Sequence, residues 1–498
     1  MISILPSILT RVRPRLAAAL GVALAALGCD QPPLIPPPPD TAPELEAMDL
    51  FQAVYPPITV GSDVPPVGAP LVERLDHYRV PSISIAVVDG GELRFAKTWS
   101  RLSVEEAPTP DSAFQAGSLS KLMAATVALR LARQRDLDLD RDLVSQFPQL
   151  RDSVEYPVTL RELLSHTGGF APAAFAGYER GQELPTLDQI LQGSGPANSA
   201  PVAQVERPGT LWRYSGGGYQ LVEKTLELAS GRSFNDLARE EIFEPLEMKN
   251  TSFLEPRAPE AAARGHLKDG SPVPEGWKVY PELAAAGLWT TPRDIASWIV
   301  DLQKAYAGKP ARRLHKTTAR GMVVAQDPGN WGIGPKLGGD GHSSWFAHAG
   351  AGEGYRAFVV GFISSGHGAV IMANGDGATP LIREVLAGLA EIYNWPTFQA
   401  EVREAAALET PALDSMAGTF ELAEAAGHRA VLEVQDGELV LSLFGGESRL
   451  YARDGNSFFD LTEGWEVQVE TRDGEDRALA LEITVFPSMV FTARRVTL

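Results

Sequence analysis

Two hydrophobic rhythms alternate along the chain, one of period two and one near 3.6, and the points where one gives way to the other divide it into elements. Residues 70–79 carry the pattern of a short helix. They lead into Ser82-Ile83-Ser84-Ile85-Ala86-Val87-Val88 and Glu92-Leu93-Arg94-Phe95-Ala96-Lys97, which flank Asp89-Gly90-Gly91 and predict a β-hairpin. A second hairpin is predicted where residues 356–363 and 369–373 bracket Ser364-Ser365-Gly366-His367-Gly368, and residues 380–393 read as an amphipathic helix after it. Between the hairpins lie helical runs. One is long and carries Leu122, Met123, Val127, Leu129 and Leu131; another opens at Thr291-Pro292, an N-cap followed by a first-turn proline. From about residue 400 the rhythm changes to short alternating strands at 430–434, 439–443 and 479–485, punctuated by Asp436-Gly437, Asp454-Gly455 and Asp473-Gly474.

The start of the long helical run carries the chemistry. In Phe114-Gln115-Ala116-Gly117-Ser118-Leu119-Ser120-Lys121 the pattern places Ser118 at a helix N-terminus and Lys121 one turn later on the same face. The lysine amine can then reach the serine hydroxyl and serve as its base. The partial positive charge of a helix N-terminus disfavours a second cation and favours an oxyanion. Ser-x-x-Lys alone is too short to be specific. Three further segments accompany it in a fixed order. They are Leu163-Leu164-Ser165-His166-Thr167-Gly168-Gly169, closing a short helix capped by Thr159; Pro208-Gly209-Thr210-Leu211-Trp212-Arg213-Tyr214-Ser215-Gly216-Gly217-Gly218-Tyr219; and His348-Ala349-Gly350-Ala351-Gly352-Glu353-Gly354-Tyr355.

Together the four segments resemble the serine β-lactamase and penicillin-binding protein superfamily, in particular its class C branch with D-alanyl-D-alanine carboxypeptidases, D-aminopeptidases and esterases. The resemblance implies an α+β fold: an antiparallel sheet covered by helices, with an inserted helical subdomain, followed by a small lipocalin-like β-barrel. It implies Ser118 as nucleophile, Lys121 as its activating partner and Tyr214 as proton shuttle. Which of Lys121 and Tyr214 is the general base stays open. His348-Ala349-Gly350 stands where the family has Lys-Thr-Gly, and the backbone N–H groups of Ser118 and Ala351 are the implied oxyanion donors. Taken singly, Tyr214 also reads as a half-buried aromatic and His348 as a turn histidine. His166 and the stretch 284–295 are read as structural, and Trp212 and Trp289 either wall an acyl pocket or fill the core.

Two departures bear on substrate. Gly216 replaces the family's amide-binding asparagine, and His348, with an ordinary pKa of about 6.5, replaces a permanent cation suited to carboxylates. Esters or peptide-like amides are therefore the expected substrates, with weak or absent β-lactam hydrolysis. The alternative is a non-catalytic receptor that binds penicillin or a peptidoglycan fragment in the same cleft.

Composition sets the frame. The 498 residues, 44% hydrophobic and 21% charged, exceed one ordinary core. The expected division is a signal segment at 1–29, a Pro-rich linker at 30–69, a catalytic domain at 70–398 and the barrel at 399–498. Arg11, Arg13 and Arg15 precede an apolar run ending at Ala26-Leu27-Gly28-Cys29, which looks like a bacterial lipobox. Lipidation of Cys29, a tether to the membrane and an exported location, periplasmic or at the cell surface, follow from that reading; a plain secretory signal is the alternative. Cys29 is the single cysteine, so no intrachain disulfide is possible. A net charge of −19 argues against nucleic acid or anionic lipid as partners. No His-Glu-x-x-His, cysteine cluster or Gly-x-Ser-x-Gly is present, so neither a metal, a cofactor nor an α/β-hydrolase elbow is expected. No oligomeric state is assigned.

Overall fold

A computed structural model describes residue 50 and residues 52–496, except 62–66, 135–136, 257, 259–260, 409, 424–427, 444–445, 473–474 and 486–488, all within the compact unit Thr41–Leu498. The signal segment, Cys29, the proline run and the Asp473-Gly474 turn lie outside the described residues.

The first hairpin is β1 (Ser82–Asp89) and β2 (Glu92–Ser100), turning through Gly90 and Gly91 at positive φ. There follow β3 (Phe114–Gly117), α1 (Ser120–Gln134), α2 (Leu160–Leu164), α3 (Gly216–Ser230), β4 (Leu288–Thr290) and α4 (Pro292–Tyr306). The chain then returns through β5 (Lys336–Gly338), β6 (Trp345–Gly352), β7 (Tyr355–Phe362), β8 (Gly368–Ala373) and α5 (Ala378–Tyr393). Both ends of this stretch build one antiparallel sheet in the order β2-β1-β8-β7-β6-β5.

Alternation along β1 shows why its sequence is apolar almost throughout. Ile83, Ile85 and Val87 pack with Leu381, Val385 and Leu389 of α5, whereas Ala86 and Val88 join Trp298, Ile299 and Leu302 of α4 on the other face. A sheet covered on both faces has no side that benefits from polar residues. α1 is buried along nearly its whole length, as a helix at the centre of a domain must be. Thr159 caps α2 in a full capping box with Glu162, and the Thr291 side chain accepts the Asp294 N–H at the head of α4.

β6 is longer than its outer neighbour: β5 pairs only with Trp345, Phe346 and Ala347. Residues 348–352 therefore present a strand edge beyond the end of β5, and the turn between β3 and α1 lies against it. A Cβ added at Gly350 would stand 2.0 Å from the Ala116 carbonyl oxygen, so the two backbones touch.

β9 (Gly418–Leu422), β10 (Arg429–Gln435), β11 (Glu438–Leu443), β12 (Gly446–Ala452), β13 (Ser457–Phe459), β14 (Glu466–Arg472), β15 (Glu475–Val485) and β16 (Met489–Arg495) form a closed barrel. Asp436 and Gly437 both have positive φ, the geometry that an Asp-Gly hairpin turn requires. Phe420, Leu432, Leu441, Phe458 and Leu481 fill the interior, with Leu413 and Met416 of the helix Thr410–Met416 packed among them.

Candidate active site

At Gly117 (φ +51) the chain leaves β3, passes through Ser118 and Leu119, and begins α1 at Ser120, two residues later than the apolar pattern suggested. Ser118 thus occupies the turn ahead of the helix. The turn is pinned by Ser120, whose Oγ donates to the Gly117 carbonyl (2.6 Å) and accepts the Leu288 N–H (3.0 Å).

Lys121 Nζ donates to Ser118 Oγ at 3.1 Å and to the Ala285 carbonyl at 2.8 Å. Its side chain is 2% exposed, and burial lowers its pKa from 10.5 to about 7. The sequence pattern suggested the helix dipole as the source of a neutral amine; burial is the cause here. Tyr214 hangs just ahead of α3, its ring centroid 4.9 Å from Lys121 Nζ and its phenol close enough to the Ser118 side chain to interact with it electrostatically. Burial raises the pKa of this phenol, and its interaction with the Ser118 side chain opposes the rise.

His348 lies within β6, not in a turn, and is 2% exposed. Its Nδ1 is 2.6 Å from the Ala349 carbonyl oxygen, an acceptor, so Nδ1 carries the proton and Nε2 is a bare lone pair. Among the described residues that lone pair has no partner. Burial, reinforced by the charge of Lys121, takes the imidazole down to about 3. A neutral His348 is thus held far more firmly than its ordinary pKa implied.

A Cβ at Gly117 would stand 2.5 Å from Ala351 O and 2.8 Å from Ala351 N, so the main chains next to Ser118 and at Ala351 are in direct contact. Gly350 meets Ala116 in the same way. At Gly216 the asparagine is replaced by something occupied rather than empty: a Cβ there would meet Ala173 O at 2.9 Å and the Phe175 ring at 2.9 Å. The Gly216 and Gly217 N–H groups donate to the Ala173 and Pro172 carbonyls, both at 2.9 Å, closing the head of α3.

The structure adds residues the sequence did not single out. Trp331 stands 5.6 Å from the His348 ring, 6.0 Å from Tyr214 and 5.1 Å from Trp212. It follows Asp327-Pro328-Gly329-Asn330, a stretch with no periodicity to flag it. Glu223 on α3 accepts the Ala284 N–H at 2.9 Å and so fixes the turn whose next carbonyl holds Lys121. An acid within the apolar stripe of Tyr219, Val222 and Leu226 was the available signal. Of the two tryptophans proposed as pocket walls, Trp212 packs beside the site against His166 and Trp331, whereas Trp289 is 3% exposed in the core against Trp277 and Tyr355. Among the described residues no group of three or more His, Cys, Asp or Glu could hold a metal ion.

A two-faced antiparallel sheet with a serine set before a buried helix is the arrangement that the resemblance to the serine β-lactamase superfamily implied. The family model described as Beta-lactamase matches residues 69–391, and the chain belongs to that family. Penicillin-binding protein 4 of Amycolatopsis lactamdurans is 29% identical over 377 residues, 70% of this chain and 94% of that protein. The teichoic acid D-alanine hydrolase of Staphylococcus aureus is 21% identical over 245 residues, 47% of this chain and 58% of the relative. Among solved structures, the octameric penicillin-binding protein homologue from Pyrococcus abyssi is similar with a TM-score of 0.52 at 18% identity, covering 85% of this chain and 98% of that one.

Proposed function

We propose that the chain is a class C-type serine hydrolase that forms an acyl-enzyme on Ser118 from esters or peptide-like amides, with weak or no activity on β-lactams. The observation that carries this reading is the 3.1 Å bond from a buried lysine amine to the Ser118 hydroxyl. An amine with a pKa of about 7 is largely neutral just above that pH and can take the hydroxyl proton. Ser118 Oγ attacks the acyl carbonyl, and its proton passes to the Lys121/Tyr214 pair and on to the leaving group. Water then cleaves the acyl-enzyme. The N–H groups of Ser118 and Ala351 receive the negative charge of each tetrahedral intermediate.

Substrate preference follows from what surrounds the serine. His348 presents a lone pair in place of a cation, which weakens recognition of a carboxylate. The Gly216 position, filled by Phe175 and the Ala173 carbonyl, offers no side-chain amide. D-Amino-acid peptides and esters of the cell wall fit this chemistry when they do not depend on a carboxylate contact. The chain is read as exported and anchored through lipidated Cys29, with 70–398 the catalytic domain and 399–498 the barrel. Labelling with a palmitate analogue should mark the wild type and not Cys29→Ala.

The functional test is turnover of a short-chain p-nitrophenyl ester panel and of a cephalosporin, with fluorescent penicillin alongside and Ser118→Ala as control. Ester hydrolysis lost in the variant, with far lower efficiency on the cephalosporin, is the expected result. Labelling by penicillin without any turnover would instead establish the receptor.

A further inference from the structure

His166 lies between α2 and the strand Phe170–Ala171, 1% exposed, with φ at +64, a left-handed conformation that a residue bearing a Cβ adopts only at a cost. Two hydrogen bonds reach it from the residues on either side of Tyr214. Arg213 N–H donates to its carbonyl at 2.8 Å, and Ser215 N–H donates to its Nδ1 at 3.1 Å. Between these two bonds its ring lies along the Tyr214 ring, centroids 4.4 Å apart and planes inclined by 33°. Ser215 is the N-cap of α3 and is buried, so no helical carbonyl takes its N–H. Without the imidazole that donor would be left unpaired.

We propose that His166 is the positioning residue for Tyr214: by gripping the peptide units on both sides of the tyrosine it aims the phenol at Ser118, and it can do so only as the neutral tautomer with its proton on Nε2. The inference rests on the reading of Tyr214 as a proton relay. Nδ1 must accept, so a proton there would break the Ser215 bond and push two donors together. The titratable groups facing the ring are Tyr214, Tyr219, Lys121 and His348. Burial, with the charge of Lys121 next, keeps the imidazole well below its ordinary pKa and hence neutral. Trp331 and Trp212 close the remaining sides at 5.3 Å and 6.0 Å.

Positioning and mere space-filling rank substitutions in opposite orders. Asparagine places an acceptor oxygen where Nδ1 stands and tolerates positive φ, although it is the smaller side chain. Glutamine fills the volume better, but its amide reaches the Nε2 position. The full chain is therefore compared as wild type, His166→Asn, His166→Gln and His166→Leu, each shown to be folded by its melting curve, in kcat and KM on a short-chain p-nitrophenyl ester. The expected result is His166→Asn within about threefold of wild-type kcat, with His166→Gln and His166→Leu down by about 30- to 100-fold and KM little changed, the loss a misplaced relay group produces. A glutamine variant as active as wild type, or an asparagine variant as poor as leucine, overturns the proposal. Histidine-selective ¹⁵N NMR of Ser118→Ala reads the tautomer without turnover. It should show His166 protonated on Nε2 and not titrating from pH 5 to 9, and a proton on Nδ1 or a titration near pH 6.5 overturns the inference. Should the wild type show no Ser118-dependent hydrolysis, the functional reading fails, and the tautomer measurement still decides whether His166 holds the tyrosine segment.

Discussion

The lysine at the centre of the site is costly to the fold. Lys121 falls from 10.5 to about 7 on burial, so between those values the unfolded chain binds a proton that the folded chain does not. Stability therefore rises with pH across that window; the penalty is fully present below about pH 7 and gone above about 10.5. At the rate of 1.36 kcal/mol for each pKa unit it amounts to on the order of 5 kcal/mol. Lys121→Met should accordingly abolish ester hydrolysis yet raise the melting temperature at pH 6.5, with a gain that shrinks towards pH 10. The same titration predicts that kcat/KM climbs with pH through about 7 and then levels, with no limb from His348, which is already neutral above about 3. Glu282, fully buried and raised to about 7, titrates in the same range, so Glu282→Gln must leave the limb in place if it belongs to the lysine. A melting temperature in Lys121→Met below that of wild type at pH 6.5 would sink the argument.

At the scale of elements, the head of α3 shows why a missing side chain is not a vacancy to be refilled. The Cβ of an asparagine at 216 would press on the Ala173 carbonyl, part of a backbone that is itself bonded to the Gly216 N–H, and on the Phe175 ring. The ring can move; the carbonyl cannot without releasing the helix. Gly216→Asn is expected to destabilise the chain by about 1–3 kcal/mol, as overpacking does, and to bring no gain in cephalosporin hydrolysis. Recovery of β-lactamase activity in that variant would show the loop to be displaceable. Here too lies the border of what was legible from sequence. Both hairpins, the caps at Thr159 and Thr291, α1 and the alternating strands at the C-terminal end were visible because each depends on local pattern and turn chemistry. So was the convergence of Ser118, Lys121 and Tyr214, through motif order. The roles of Phe175, Trp331 and Glu223 were not, because each reaches the site from an element far away in sequence, and no local rule encodes who meets Gly216 or Ala284. The burial that neutralises Lys121 was hidden for the same reason: a low pKa is a property of the surrounding core, not of a spacing of three.

For the molecule as a whole, the question is what ties the barrel to the catalytic fold. One attachment runs through the loop between β13 and β14. Asp460, fully buried, accepts the backbone N–H groups of Thr462 (2.9 Å), Glu463 (2.6 Å) and Trp465 (2.6 Å) together with the Ser448 hydroxyl (2.9 Å). That knot turns the Leu461 and Thr462 carbonyls outward to the guanidinium of Arg383 on α5. A second tie lies nearby: the strand Glu401–Arg403 pairs in parallel with Ile58–Val60, and Arg403 also bonds Glu466 at the start of β14. The barrel also reaches the neighbour of Tyr214, because Arg213 donates to the Ala423 carbonyl at 3.3 Å. Asp460→Ala removes the acceptor of three backbone N–H groups, of which that of Trp465 is buried, and costs on the order of 1–3 kcal/mol, most of it at the junction. Calorimetry of the full chain should then resolve an early barrel transition ahead of the catalytic fold, where the wild type melts as one. A single transition at the wild-type temperature would mean that the loop is dispensable and that the parallel strand pair alone holds the two parts together.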